Sequence, residues 1–189
     1  MKIIILEGIA TGGKTSVKNK LVEILNKNEV SFAVIEEDET LMPILDNTDR
    51  RISINFLNQI IDKALNVDSD IVIIDRLYFT HIFRTNSSVS DFIEIENKLR
   101  NIALLVLLEI DEQMIPERIS RAREHRDKDW NDYVSRKGND EEVYNYYINQ
   151  QRSLLDILKE TSLNYKIYNS SNMDFYNIAV DILRRINIQ

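Results

Sequence analysis

Three of the chain's four glycines stand close together, in Gly8-Ile9-Ala10-Thr11-Gly12-Gly13-Lys14-Thr15-Ser16. The spacing from Gly8 to Lys14-Thr15 is that of a loop that holds phosphate through its backbone. Gly8, Gly12 and Gly13 predict backbone at positive φ that can approach a ligand closely. The N–H groups along Ile9, Ala10, Thr11 and Ser16 then converge on phosphate oxygens, and the following helix adds its positive end. Lys14 is placed to neutralise the outer phosphates. The Thr15 hydroxyl is a ligand for Mg²⁺.

A second set of residues could act on the same phosphates. Asp75 ends the apolar run Ile71-Val72-Ile73-Ile74, where an acid can hold Mg²⁺ beside a phosphate loop. It can equally cap the next helix. Arg76 follows, with a planar fork suited to a phosphate or a carboxylate. Glu36, Glu37, Asp38 and Glu39 follow another apolar run. A carboxylate there can accept the proton of an attacking hydroxyl. Strand alternation predicts that Glu36 and Glu37 face opposite ways, so that one of them serves the cleft.

The third set is basic. Arg118, Arg121, Arg123 and Arg126 fall within a segment, 117–137, that has seven basic and five acidic residues. Arg118 and Arg121, like Arg123 and Arg126, are three apart and share a helix face. They can close over a transferring phosphoryl group, or they can be solvated and paired with Glu117 and Glu124. His81 and His125 are the only histidines and there is no cysteine, which excludes thiolate and His-rich metal sites and a cysteine nucleophile. Tyr144, Tyr146 and Tyr147 are read as helix-packing residues. Trp130 is out of keeping with its charged surroundings.

These residues need elements to carry them. Lys2 to Leu6 reads as a buried strand, and Val17, Leu21, Ile24 and Leu25 as one face of a helix over 14–28. Further strands are predicted at 31–35, 71–75, 103–110 and 165–168. Helices are predicted at 50–66, 76–83, 91–101, 112–125, 140–160 and 173–187. A polar loop follows Glu39, and a charged, mobile one spans 126–138. Strands alternating with helices predict a three-layer α/β/α domain with a parallel sheet. Ligands of such a sheet lie at the carboxyl ends of its strands, where Gly8–Thr15, Glu36-Glu37, Asp75-Arg76 and Asp111 all fall.

At 189 residues the chain suits one domain, 1–189. Its net charge of −7 argues against a polynucleotide or membrane-surface partner. No apolar run is long enough for a signal or a span, so the expectation is a cytoplasmic protein. A homodimer is left open.

Glu7-Gly8 to Ser16, Asp75-Arg76-Leu77-Tyr78-Phe79-Thr80 and the segment Arg118 to Arg126 together resemble the P-loop kinases of nucleosides and nucleotides, the deoxynucleoside kinase and thymidylate kinase group. The likeness covers nearly the whole chain. It implies five parallel strands in the order 2-3-1-4-5 and a helical lid around 117–138, with Arg121 over the donor and Asn169 near the donor base. It also implies ATP as donor, Mg²⁺ as cofactor and a nucleoside or nucleotide as acceptor. Glu-Glu-Asp-Glu at 36–39 departs from the Arg-Glu-Pro-like segment of thymidylate kinases. Asp75-Arg76-Leu77 departs from the Glu-Arg-Ser of deoxynucleoside kinases. Alternatives are a kinase for another hydroxyl compound, such as a sugar acid, an antibiotic or a polynucleotide 5′ end, and a non-catalytic nucleotide-binding regulator. A GTPase-like switch needs Asp-x-x-Gly and Asn-Lys-x-Asp; Asn97-Lys98-Leu99-Arg100 lacks the final acid.

Overall fold

A computed structural model describes residues 1–188. Five strands form one parallel sheet: β1 (Lys2–Gly8), β2 (Phe32–Ile35), β3 (Ile71–Asp75), β4 (Ala103–Glu109) and β5 (Asn164–Asn169), in the order β2-β3-β1-β4-β5. The expected order and layering are therefore present. Strands buried on both faces read as continuous apolar runs, and β1 and β3 are such runs.

Alternate residues of each strand supply two cores. Ile3, Ile5, Val72, Ile74 and Leu105 pack with Leu57 of α3 (Arg50–Leu65), Phe79 of α4 (Phe79–Thr85), Leu99 of α5 (Ile93–Leu99) and Leu154 of α8 (Asp140–Leu158). Ile4, Leu6, Ile73 and Val106 pack with Val17 and Leu21 of α1 (Lys14–Lys27) and Ile182 of α9 (Phe175–Arg185). Each fully buried aliphatic side chain contributes about 1.5–3 kcal/mol. The two layers thus hold the strand ends in a fixed register, in which Leu6 lies beside Asp75 and Gly8 beside Leu108.

Two segments depart from the sequence reading. The acidic run does not continue the alternation of β2. Glu36 caps a short helix, α2 (Glu37–Thr40), through a capping box with Glu39, the arrangement that a Glu three residues after a cap can complete. Helical geometry thus replaces strand alternation at Glu36 and Glu37. The charged segment 126–138 is also partly helical. After α6 (Ile115–His125), which takes Pro116 in its first turn, Asp127 caps α7 (Lys128–Ser135) by accepting from the Trp130 N–H.

Gly8 adopts φ +144, and a Cβ there would lie 2.6 Å from the Leu108 carbonyl oxygen. That oxygen belongs to the paired strand and cannot move without breaking the sheet. Gly8→Ala is expected to destabilise the protein by about 3 kcal/mol, seen as a lower urea midpoint.

Candidate active site

The phosphate loop lies between β1 and α1. Positive φ occurs at Gly8 and Gly13, and also at Thr11 (φ +66), whereas Gly12 does not adopt it. Gly12 has another constraint: a Cβ there would come 3.1 Å from the Ile9 carbonyl oxygen. Lys14 is buried, and its ammonium donates to the Gly8 and Ile9 carbonyls at 3.3 and 3.1 Å. It therefore curls over the loop in the position a phosphate would draw it from.

Burial, reinforced by the nearby Arg76 charge, lowers the Lys14 pKa from 10.5 to about 8. Two consequences of opposite sign follow. Between about 8 and 10.5 the unfolded chain binds a proton that the folded one has released, so this group's contribution to stability rises with pH across that window. A neutral Lys14 attracts phosphate less. Calorimetric titrations with ATP on either side of pH 8 are expected to show affinity falling with rising pH, by up to about tenfold per unit.

β3 delivers Asp75 beside the loop. Only 2% exposed, it accepts from the Lys18 ammonium through Oδ2 at 2.8 Å. Its Oδ1 is buried and has no partner. Arg76 then turns at φ +66, with its N–H donating to the Leu6 carbonyl at 3.0 Å. Its guanidinium donates to Glu37 at 2.9 Å, the Gly8 carbonyl at 2.8 Å and the Thr80 hydroxyl at 2.9 Å. Burial pushes the Glu37 carboxyl up, but the Arg76 and Lys14 charges outweigh it and hold the pKa below the usual carboxylate range. Glu36 is half exposed and pairs with Lys18. Both glutamates thus engage site cations, and Glu37 borders the cleft.

Glu7, fully buried in β1, supports this corner. It accepts from the Leu77 and Phe79 N–H groups at 2.9 and 3.2 Å and from the Thr80 hydroxyl at 3.2 Å. It thereby caps α4 from across the sheet. Burial pushes its pKa up, while Arg76 and the Leu77 N–H pull against the rise. The α2 segment is tied in by Thr40, whose hydroxyl donates to the Asp75 carbonyl at 2.7 Å. Sequence reading gave Lys18 and Glu7 no role. Neither carried a local signal: Glu7 falls just past the strand predicted at Lys2 to Leu6, and Lys18 falls outside the predicted apolar face of Val17, Leu21, Ile24 and Leu25.

The lid arginines divide. Arg118 donates to the carbonyls of Thr11, Ser170 and Ser171 at 3.3, 2.8 and 2.8 Å, joining the phosphate loop to the segment after β5. Arg121 and Arg126 border the cleft, Arg126 lying 5.0 Å from the Trp130 ring. Arg123 turns away, paired with Asp140, because its place on α6 faces the start of α8. Asn169 does not border the cleft either. Its amide donates to Asp111 at 2.7 Å and its oxygen accepts from the Ser171 N–H at 2.9 Å.

The cleft is a cavity of about 790 Å³. Its floor is the phosphate loop, where Ala10, Thr15 and Ser16 are also exposed to it. Leu41 and Met42 form one wall, and Trp130, Tyr133, Tyr146 and Tyr147 another; Met173 and Phe175 close the far side. Tyr146 and Tyr147 pack edge to face at 5.2 Å, as packing residues would, yet they line the cavity too. His125 is at its rim. His81 lies in the core instead, where burial lowers its pKa to about 4.

The residues fit a Mg²⁺ ion that arrives with phosphate. Asp75 Oδ1 is an orphaned buried oxygen at the end of β3, and Thr15 opens onto the cavity, which Asp75 itself does not line. Among the described residues no group of three or more acids and histidines could hold a metal alone. Mg²⁺ commonly takes one or two carboxylates and completes its shell from phosphates and water. Also among the described residues, no helix is long and apolar enough to cross a membrane.

No protein-family model matches the sequence, and no curated protein matches it. Solved structures do match. The YorR protein of Bacillus subtilis, in complex with phosphorylated GDP, is similar at a TM-score of 0.69 and 19% identity, over 98% of this chain and 95% of that one. Shikimate kinase from Bacteroides thetaiotaomicron is similar at a TM-score of 0.61 and 15% identity, over 99% of each chain. Identities this low speak for the fold alone, and with the sheet order and phosphate loop they give its kind: the chain has the P-loop kinase fold.

Proposed function

We propose that the chain is a Mg²⁺-dependent kinase that moves the γ-phosphoryl group of ATP to a small acceptor, a nucleoside or a nucleotide. One observation carries this reading. The phosphate loop, the Glu37–Arg76 pair, Arg118, Arg121, Arg126 and an aromatic wall all border the same cavity. Backbone N–H groups of residues 8–16 hold the donor phosphates, and Lys14 leaves the loop carbonyls to join them. Thr15 and Asp75 hold the metal, which when bound offsets the charge on the β- and γ-phosphates. Arg118 fixes the loop, and Arg121 and Arg126 face the transferring group. Residues 117–138 close over it and keep water out.

Two acceptor chemistries fit. With a hydroxyl acceptor, Glu37 takes the proton as the acceptor oxygen bonds to the γ-phosphorus and the bond to ADP breaks. With a monophosphate acceptor no base is needed. Arg84, Arg126 and Arg136 border the cavity, and none of them forms an ion pair among the described residues. They favour an acceptor with negative charge, and the half-buried Trp130 at the aromatic side of the cavity suits a planar base. The similar YorR structure was solved with phosphorylated GDP, which supports a nucleotide.

The test is a transfer screen. Mg·ATP and pools of nucleosides, nucleoside monophosphates and other hydroxyl compounds are incubated with the protein, and products are read by mass. A phosphorylated nucleoside assigns Glu37 as base, and a diphosphate assigns the arginines to the acceptor. Product only from the third pool overturns the acceptor, and none from any pool overturns the kinase.

A further inference from the structure

Lys18 stands one helical turn beyond Lys14, yet the two ammonium groups serve different partners. Lys14 turns to the loop carbonyls, whereas Lys18 turns to the ends of β3 and β2. Its side chain is nearly buried and bridges two carboxylates, with Asp75 Oδ2 at 2.8 Å and Glu36 Oε2 as the second partner. Arg76 offers these acids no hydrogen bond, because its own donors are directed to Glu37, Gly8 and Thr80.

Two carboxylates that share one ammonium are close enough to share one divalent cation instead. Left without a cation they would repel each other, at a cost that burial of Asp75 enlarges. We propose that Lys18 is a positioning residue whose ammonium fills the place between Asp75 and Glu36 that a divalent ion would otherwise take. Metal is therefore admitted only together with nucleotide. The lysine ties up Oδ2 and leaves Asp75 a single unpartnered oxygen, Oδ1. It also holds Glu36, the cap of α2, beside the end of β3.

This inference rests on Asp75 facing the metal, as in the reading above, but not on the acceptor or on transfer. The experiment is Mn²⁺ binding to nucleotide-free protein, followed by electron paramagnetic resonance. Wild type is expected to bind no Mn²⁺ in the range where Lys18→Met fills one site, at least about tenfold more tightly. Adding Glu36→Gln to Lys18→Met is expected to remove most of that gain, and Lys18→Arg to stay metal-free like wild type. Wild type that binds Mn²⁺ alone overturns the proposal. So does a Lys18→Met protein, folded by circular dichroism, that gains no site. If Lys18→Met does not fold, Lys18→Gln takes its place under the same criteria. A wild type that transfers phosphate yet binds Mn²⁺ alone defeats only the role of Lys18. One that binds no nucleotide defeats the kinase reading and leaves the metal readout standing.

Discussion

Lys14→Ala is expected to cut phosphoryl transfer by about 10²–10³-fold or more and to weaken ATP binding, with no loss of stability. The first effect follows from removing a preorganised cation from a site where charge develops. The second follows from the same burial that makes Lys14 useful. The folded state disfavours its charge enough to lower the pKa to about 8. Taking the charge away relieves a cost of about 1–3 kcal/mol. Against this stand the two hydrogen bonds to Gly8 and Ile9, each worth about 1 kcal/mol net. Transfer rates and urea midpoints measured on the same preparation check both halves. A large fall in the midpoint would show that Lys14 is structural.

Arg76→Ala is expected to lose both activity and stability. Arg76 is the cation between the fully buried Glu7 and Glu37, and it also holds the Gly8 carbonyl. Its removal takes from Glu7 the larger of its two neighbouring opposite charges and leaves only Lys14. Breaking a fully buried pair from one side costs about 3–5 kcal/mol, and because Glu37 is 38% exposed the loss here is smaller. It also frees the loop and Glu37 from each other, so transfer is expected to fall about 10²-fold or more. Adding Glu7→Gln is expected to return part of the urea midpoint but none of the transfer. Recovery of transfer by the double variant would place Arg76 outside the reaction.

Those two residues also show what the sequence made legible. Gly8 to Thr15, the run 71–75 and the alternation of strands and helices were readable because each rests on local spacing, and local spacing survives folding. The pairing of Arg76 with Glu37 was not readable. It depends on Glu36 capping α2, which replaces the two-residue period of a strand with a helical turn and so brings both glutamates to the site. Arg123 and Arg118 have the same chemistry in sequence, yet only Arg118 meets the loop. The choice is set by where α8 and the segment after β5 pack against α6. Glu7 caps α4 from another strand, a contact 70 residues distant in sequence to Leu77 that no local pattern announces. Trp130 and Tyr147 were legible as aromatic residues, but only the fold makes them one wall.

Calorimetric titration of the wild-type protein with ATP, with and without Mg²⁺, tests most directly whether Gly8 to Thr15 is a nucleotide site. One ATP per chain is expected, with Kd between about 1 μM and 1 mM, and weaker binding when the metal is withheld. No binding across that range, or the same affinity in Lys14→Ala as in wild type, would contradict it.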